Sequence, residues 1–428
     1  MLFVIITFLS TFFSIFHMIC AIKYKIPFYG YKKCERGISI LLPCYNEAPI
    51  LKYTIEGLKK LDYENYEVIF INDGSSDNTL EILKDELNLE KFNEVNSNEL
   101  SEEIRGLYKS SIYTNVYVMD KRNSGKAESL NVGIRFSKKE LVLTLDADCI
   151  LKSDALKIMN STFNDKKVIA SGGAVHAMQM FKMNKSRKLI VLLQSLDYIK
   201  GFYIYKASLA YNNALAIISG AFGIFKRDIL LEIGGFRAGL GEDIDITIRL
   251  QEYAIKNDKR VIFNENAICF TECPESFNNL VRQRIRWQKG FIDSIIKNKN
   301  FVFKNFLKHN LCFFLLIDAV LINTISIGVL LINIFLTSVN VINGSNNHLI
   351  SYLVITAIFN YVYSATAINK AERYVEGLQK KWLYAVIIID MFAFRFLYIF
   401  FYIFGSFRYF FNNKSWNKFT RTSNTYNT

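Results

Sequence analysis

Apolar and polar positions divide this chain into three zones. Leu2 to Ile22 carries no charge over 21 residues, long enough for a helix that spans a bilayer. Three further runs, Leu311–Leu336, Leu349–Asn369 and Trp382–Phe404, have the same character. Buried core helices of roughly 10–14 residues are the ordinary alternative, and these runs are too long for it. Between the ends the pattern changes to short apolar runs alternating with helical stretches, the signature of a βαβ sheet. Ile38–Leu42, Val68–Ile71, Val116–Met119, Leu141–Leu145, Val168–Ala170 and Val261–Phe263 are predicted strands. Pro49–Leu61, Thr79–Leu89 and Ala127–Phe136 are predicted helices, and Lys91 to Tyr108 a polar surface excursion. Five strand-forming residues from Leu141 to Leu145 predict a fully buried central strand of a parallel sheet. From Phe277 to Asn310, Arg and Lys mix with Trp287, Phe291, Ile292, Ile295 and Ile296, which predicts an amphipathic helix on a membrane surface.

Charge orients the apolar runs. Nothing basic precedes Leu2, while Lys23, Lys25, Lys32, Lys33 and Arg36 follow it. The first run lacks a basic leader and a small-residue cleavage site, so it reads as an anchor and not a removable signal. The positive-inside rule then places the amino terminus outside and residues 23–310 in the cytoplasm. Thr337–His348 has no Lys or Arg and belongs outside; Lys370, Arg373, Lys380 and Lys381 put the next loop inside. Four full crossings leave Arg408, Lys414, Lys418 and Arg421 outside, against the rule. The net charge of +13 sits beside the apolar runs, which points to anionic lipid and not to nucleic acid. The seven cysteines are scattered, as reduced cytosolic thiols are. Cys269 and Cys273 lack the second pair that a zinc site needs.

Candidate chemistry lies at the predicted strand ends, where open α/β sheets hold their ligands. Asp146-Ala147-Asp148 offers two hard oxygen ligands for Mg²⁺ or Mn²⁺ carrying a diphosphate, although Asp243-Ile244-Asp245 matches the same spacing. Leu42-Pro43-Cys44-Tyr45-Asn46-Glu47 closes the first strand, and Asn72-Asp73-Gly74-Ser75-Ser76-Asp77 closes the second. Asp73 is placed to accept bonds from a base or ribose; Ser76 and Asp77 read better as helix-capping residues. Lys126 offers a point charge for a phosphate, though a lone lysine is more often a solvated one. Glu242 and Asp243 are candidates for a general base, with Asp245 an acid at the start of a helix Ile246–Ala254. Gln283-Arg284-Ile285-Arg286-Trp287 pairs a guanidinium fork for a diphosphate with an indole face for a sugar. An interfacial basic-aromatic helix explains the same residues taken singly.

These segments, in this order, resemble the membrane-bound family 2 glycosyltransferases, the group of poly-N-acetylglucosamine, cellulose, chitin and hyaluronan synthases. The resemblance covers roughly residues 37–300 and the flanking runs. Two departures stand out: the family's acidic motif usually reads Thr-Glu-Asp and here has Gly241 in place of the Thr, and the excursion at 91–113 is long. The resemblance implies an α/β fold, a GT-A (nucleotide-diphospho-sugar transferase) domain plus transmembrane helices. Its expected parts are a transmembrane helix at 1–22, a juxtamembrane linker at 23–36 and the GT-A catalytic domain at 37–270. Amphipathic interface helices at 271–310, about three transmembrane helices at 311–411 and a basic tail at 412–428 complete it.

By the same resemblance, Asp243 is the base, with Glu242 beside it. Pro43, Tyr45, Glu47, Asp73, Lys126, Asp146, Gln283 and Arg286 bind the donor nucleotide. Asp148 holds Mg²⁺ or Mn²⁺, and Trp287, Gly220 and Phe222 receive the acceptor. The expected enzyme sits in the plasma membrane with a cytoplasmic catalytic domain. It inverts a UDP-sugar, UDP-N-acetylglucosamine or UDP-glucose, into a processive β-linked glycan, poly-N-acetylglucosamine synthase being the nearest type. Membrane lipids and a small membrane partner subunit are the implied partners. A single addition to a membrane lipid is the alternative, and a degenerate glycan sensor the third reading. Asp318, Asp390 and Arg395 inside the apolar runs imply a polar path or an ion pair.

Overall fold

The computed structural model describes residues 2–26, 35–92, 103–181, 188–322, 347–375 and 377–411. Ten strands form one sheet: β1 (Ile38–Cys44), β2 (Tyr66–Asp73), β3 (Leu89–Lys91), β4 (Ile104–Ser110), β5 (Val116–Lys121), β6 (Leu141–Leu145), β7 (Cys149–Leu151), β8 (Val168–Ala177), β9 (Phe222–Lys226) and β10 (Arg260–Thr271). Their order is β3-β4-β5-β2-β1-β6-β9-β8-β10-β7. β1 lies parallel between β2 and β6, with Leu41 opposite Ile69 and Thr144. The expected parallel sheet is in fact mixed. β9 enters antiparallel between β6 and β8, with Leu143 opposite Ile224, and β7 pairs antiparallel with β10. The expected excursion at 91–108 is also partly strand, since β4 runs antiparallel to β5 and carries β3 at the sheet's edge.

Side-chain alternation supplies a core on each face of the sheet. Ile38, Ile40, Leu42, Leu141, Leu143 and Leu145 point to one core, and Leu41 and Val142 to the other. Helices α1 (Leu2–Lys23), α2 (Leu51–Lys59), α3 (Thr79–Leu87), α4 (Lys126–Phe136) and α5 (Ala155–Thr162) precede α6 (Leu189–Lys200). A π-helical turn, Gly201–Lys206, continues α6 directly. α7 (Glu242–Lys256) and α8 (Phe277–Lys297) follow, then α9 (Asn347–Lys370), α10 (Gly377–Ile389), a π turn at Asp390–Phe394, and α11 (Arg395–Phe411).

Helices therefore occupy the expected apolar runs, though residues 323–346 and 412–428 fall outside the described residues. Among the described residues no helix is both long and apolar enough to cross a membrane. Two of the acids expected in those runs are paired: His17 Nε2 lies 3.1 Å from Asp318, and Lys200 Nζ 2.5 Å from Asp390. The side chain of Arg395 is outside the described residues. α8 turns part of its surface to the protein and not to solvent. Gln288 donates to Ser406 of α11 at 3.2 Å, and Tyr409 of α11 donates to Asp293 at 3.2 Å.

Candidate active site

The ends of β1, β2 and β6 and the starts of α4 and α7 converge on one cleft. Gly74 takes φ +65, and a side chain there would meet the Asn123 backbone at 2.8 Å, so only glycine lets these two loops touch. Asp73, expected to meet the nucleotide, is buried and bonded within the chain. It accepts from Lys121 Nζ at 2.7 Å, Ser124 N–H at 3.0 Å and Gly125 N–H at 2.9 Å. Its first task is to brace the loop that leads into Lys126. Lys121, fully buried, was not singled out in the sequence, where nothing local marks it as the partner of Asp73. Pro43, next to last in β1, lies opposite Ile71, Tyr45 is half-buried, and the backbone N–H of buried Glu47 donates to Thr79 Oγ1 at 2.9 Å. Asp77 caps the start of α3, accepting from Thr79 N–H at 3.0 Å.

Asp146 and Asp148 follow β6 as expected. Together with Cys149 their ligand atoms lie within 4.8 Å of one another. Burial, and Cys269 beside it, push the Cys149 thiol well above its ordinary range, which leaves the two carboxylates as the hard donors of the group. Such hard oxygens suit Mg²⁺ or Mn²⁺. Asp148 is buried and accepts from Thr271 Oγ1 at 3.3 Å, a contact only the pairing of β7 with β10 could reveal. Burial raises the Asp146 carboxyl, and Lys126, with Nζ 2.6 Å away, pulls it back.

Lys126 is a bridge. Its ammonium also lies 3.4 Å from Glu242. Burial works against its charge, and Asp146 and Glu242 outweigh that and hold it above the ordinary lysine value. Asp243 follows in the first turn of α7 and accepts from Gly220 N–H at 3.3 Å. Burial, reinforced by neighbouring Glu242, raises its carboxyl to about 6, a value suited to a base working near neutrality. Lys206, on the π turn, faces this carboxylate and is itself lowered to about 8 by burial. α7 begins at Glu242 and not at Ile246, so Asp245 lies inside its first turn. There it is buried, pairing with Arg249 at 3.0 Å and accepting from Asn298 at 2.9 Å. Those bonds make it a structural acid.

Gly220 borders the cleft: a Cβ there would lie 3.0 Å from Lys126 Nζ and 3.7 Å from Asp243. Phe222 does not. It is fully buried in β9, packed so tightly over Gly173 that a Cβ at 173 would lie 2.2 Å from its ring. The expectation that Phe222 receives the acceptor is corrected; strand alternation turns its side chain into the core. On α8, Gln283 is buried with its side-chain oxygen lacking a hydrogen-bond partner, Arg286 is half-buried, and Trp287 is 43% exposed. Arg284, between them, is buried against Trp287 and Asp197.

Two family models match the chain: Glycosyl transferase family 2 over residues 39–234, and Glycosyl transferase family group 2 over residues 141–398. The poly-beta-1,6-N-acetyl-D-glucosamine synthase of Staphylococcus epidermidis is 31% identical over 265 residues, 61% of this chain and 56% of that protein. The synthase of the same name from Staphylococcus aureus (strain COL) is 31% identical over 266 residues, with the same coverage. The matched region thus spans little more than half the length of these relatives. A solved mannosyltransferase of Pyrobaculum calidifontis, in complex with GDP-Man and Mn²⁺, superposes over 96% of this chain and 98% of its own. Its TM-score is 0.56 at 16% identity. That likeness concerns the fold, which is GT-A.

Proposed function

The chain belongs to glycosyl transferase family 2, and from that premise we propose a membrane-anchored, inverting glycosyltransferase that extends a β-linked glycan from a UDP-sugar. One observation carries the reading. Lys126 ties Asp146, on the nucleotide side, to Glu242, the neighbour of a carboxylate poised near 6. Donor and base are thereby built into one constellation. Asp243 takes the proton of the acceptor hydroxyl as its oxygen bonds to the sugar's C1. The bond from C1 to the diphosphate breaks on the opposite face, UDP leaves, and the anomeric centre inverts. Lys126 and Arg286 face the charge that grows on the leaving group. A divalent cation held by Asp148 and Asp146 would offset that charge when bound. Trp287 offers its exposed face to the acceptor sugar.

The names of the relatives favour N-acetylglucosamine as the sugar transferred and polymer as product. The long apolar runs of the sequence near both ends and the basic residues beside them support a multi-pass protein of the plasma membrane with the cleft in the cytoplasm. Membranes holding the protein are incubated with radiolabelled UDP-N-acetylglucosamine or UDP-glucose, and the product is sized. Long polymer is the expected result. Label confined to a glycolipid would replace it with single addition, and no transfer from either donor would sink the enzyme reading.

A further inference from the structure

Arg284 lies inside the motif that ends at Trp287, yet the chemistry above gives it no part. Its side chain is 6% exposed, a depth at which arginine is kept only with partners. The guanidinium carbon lies 4.3 Å from the Trp287 ring centroid, 5.8 Å from that of Tyr198 and 5.7 Å from that of Tyr398. Nη2 lies 3.0 Å from the Asp197 carboxylate. Neither Nε nor Nη2 is aligned for a hydrogen bond, so charge and ring faces hold this cation. The Tyr198 ring stands 6.4 Å from Trp287, the two planes 31° apart. Asp197 and Tyr198 come from α6, Tyr398 from α11, and Arg284 and Trp287 from α8. Three helices meet beneath one indole.

An indole this exposed has several rotamers open to it unless something holds one. A desolvated guanidinium against its face is such a restraint, and it leaves the rest of the ring to solvent. We propose that Arg284, anchored by Asp197, is a positioning residue that fixes the Trp287 indole and so presets the platform for the acceptor sugar. This rests on the assignment of Trp287 to the acceptor. It places a residue without substrate contact in control of acceptor recognition, through a buried charge pair that reaches α6.

The test uses the full chain with Trp382→Phe and Trp416→Phe, which leave Trp287 as its one tryptophan. The probe acceptor is a soluble β-linked N-acetylglucosamine oligosaccharide. Arg284→Met is expected to raise the acceptor KM by about tenfold or more while UDP affinity stays within about twofold. Trp287 fluorescence anisotropy should fall and its emission shift. Arg284→Lys, which restores charge without the planar fork, should recover part of each loss. Asp197→Asn should move both readouts in the same direction, and it carries the test if Arg284→Met does not fold.

In a Trp287→Ala background, Arg284→Met should add nothing to the acceptor KM, because the two act as one unit. Multiplying effects, or unchanged Trp287 anisotropy in both Arg284→Met and Asp197→Asn, would overturn the proposal. An acceptor KM untouched by Trp287→Ala would instead remove the acceptor assignment, and this proposal with it.

Discussion

Asp243 carries two consequences of being buried beside Glu242. If it is the base proposed above it must be ionised, and the rate of transfer should fall about tenfold per pH unit below its value of about 6. Asp243→Asn keeps the shape, cannot accept a proton, and should cost about 10²- to 10⁴-fold in kcat while UDP still binds. The same carboxyl strains the fold. A group held near 6 against an ordinary 3.8 binds its proton more tightly in the native state. Stability is therefore favoured at low pH and falls as pH rises from about 4 to about 6, staying lowered above. The penalty at neutral pH is about 3 kcal/mol at most. Asp243→Asn should consequently melt higher than the parent at pH 7 and equal to it near pH 4. Melting scans at the two pH values check this, and equal melting at both would refute the strain. Asp148 makes a different demand. If it holds the divalent cation, Asp148→Asn should abolish transfer in a folded protein, and EDTA should do the same to the parent until Mg²⁺ or Mn²⁺ is returned. Full activity in EDTA would leave Asp146 and Asp148 as strand-ending acids only.

Between α7 and α8 the chain departs from its family, and the departure has a packing cause. A Cβ on Gly241 would lie 2.5 Å from the Gly290 carbonyl oxygen, and one on Gly290 would lie 2.6 Å from that of Leu240. The two glycines let the start of α7 rest on α8, where Ser294 donates to the Gly241 carbonyl at 2.8 Å. Restoring the family's threonine with Gly241→Thr should thus force the helices apart, cost about 1–3 kcal/mol of stability and lower kcat by shifting Asp243. A variant with parental kcat would show that the base keeps its place without this contact. Such contacts also explain what the sequence disclosed. β6 was legible residue for residue because all five of its positions are buried and apolar. β9, Phe-Gly-Ile-Phe-Lys, was missed as a strand, being short and broken by glycine, and its inward face misplaced Phe222. β4 was hidden because a strand one in from the sheet's edge, with exposed Arg105 and half-buried Lys109, carries the polarity of a loop. The carboxylates were found because they stand at strand ends. Their keepers, Lys121 for Asp73 and Thr271 for Asp148, lie 48 and 123 residues away, and no periodicity links them.

Across the whole molecule, the carboxy-terminal helices bear on α8 and Trp287, the proposed acceptor side of the cleft, more than on its proposed donor side. α11 reaches α8 through Tyr409 to Asp293 and Ser406 to Gln288, and it brings Tyr398 to Arg284. Asp390 ties the turn before it to Lys200, close to Asp197 on α6. Gln283 and Arg286 ride on α8, but Asp73, Lys126, Asp146 and Asp148 are held by β2, β5, β6, β10 and the loop before α4. A chain ending at residue 375 should accordingly keep UDP affinity within about tenfold. Its transfer to a glycan should fall more than about a hundredfold, since displacing the acceptor platform by about an ångström is enough for that loss. Asp390→Asn is the milder probe, breaking one charge pair and leaving both helices in place. It should lower the melting temperature and raise the acceptor KM without altering UDP binding. Titration with UDP and measurement of transfer on the same preparations separate the outcomes. Parental transfer from the shortened chain would mean that α10 and α11 serve only to anchor it. Loss of UDP binding and transfer together would mean that the donor site too depends on these helices.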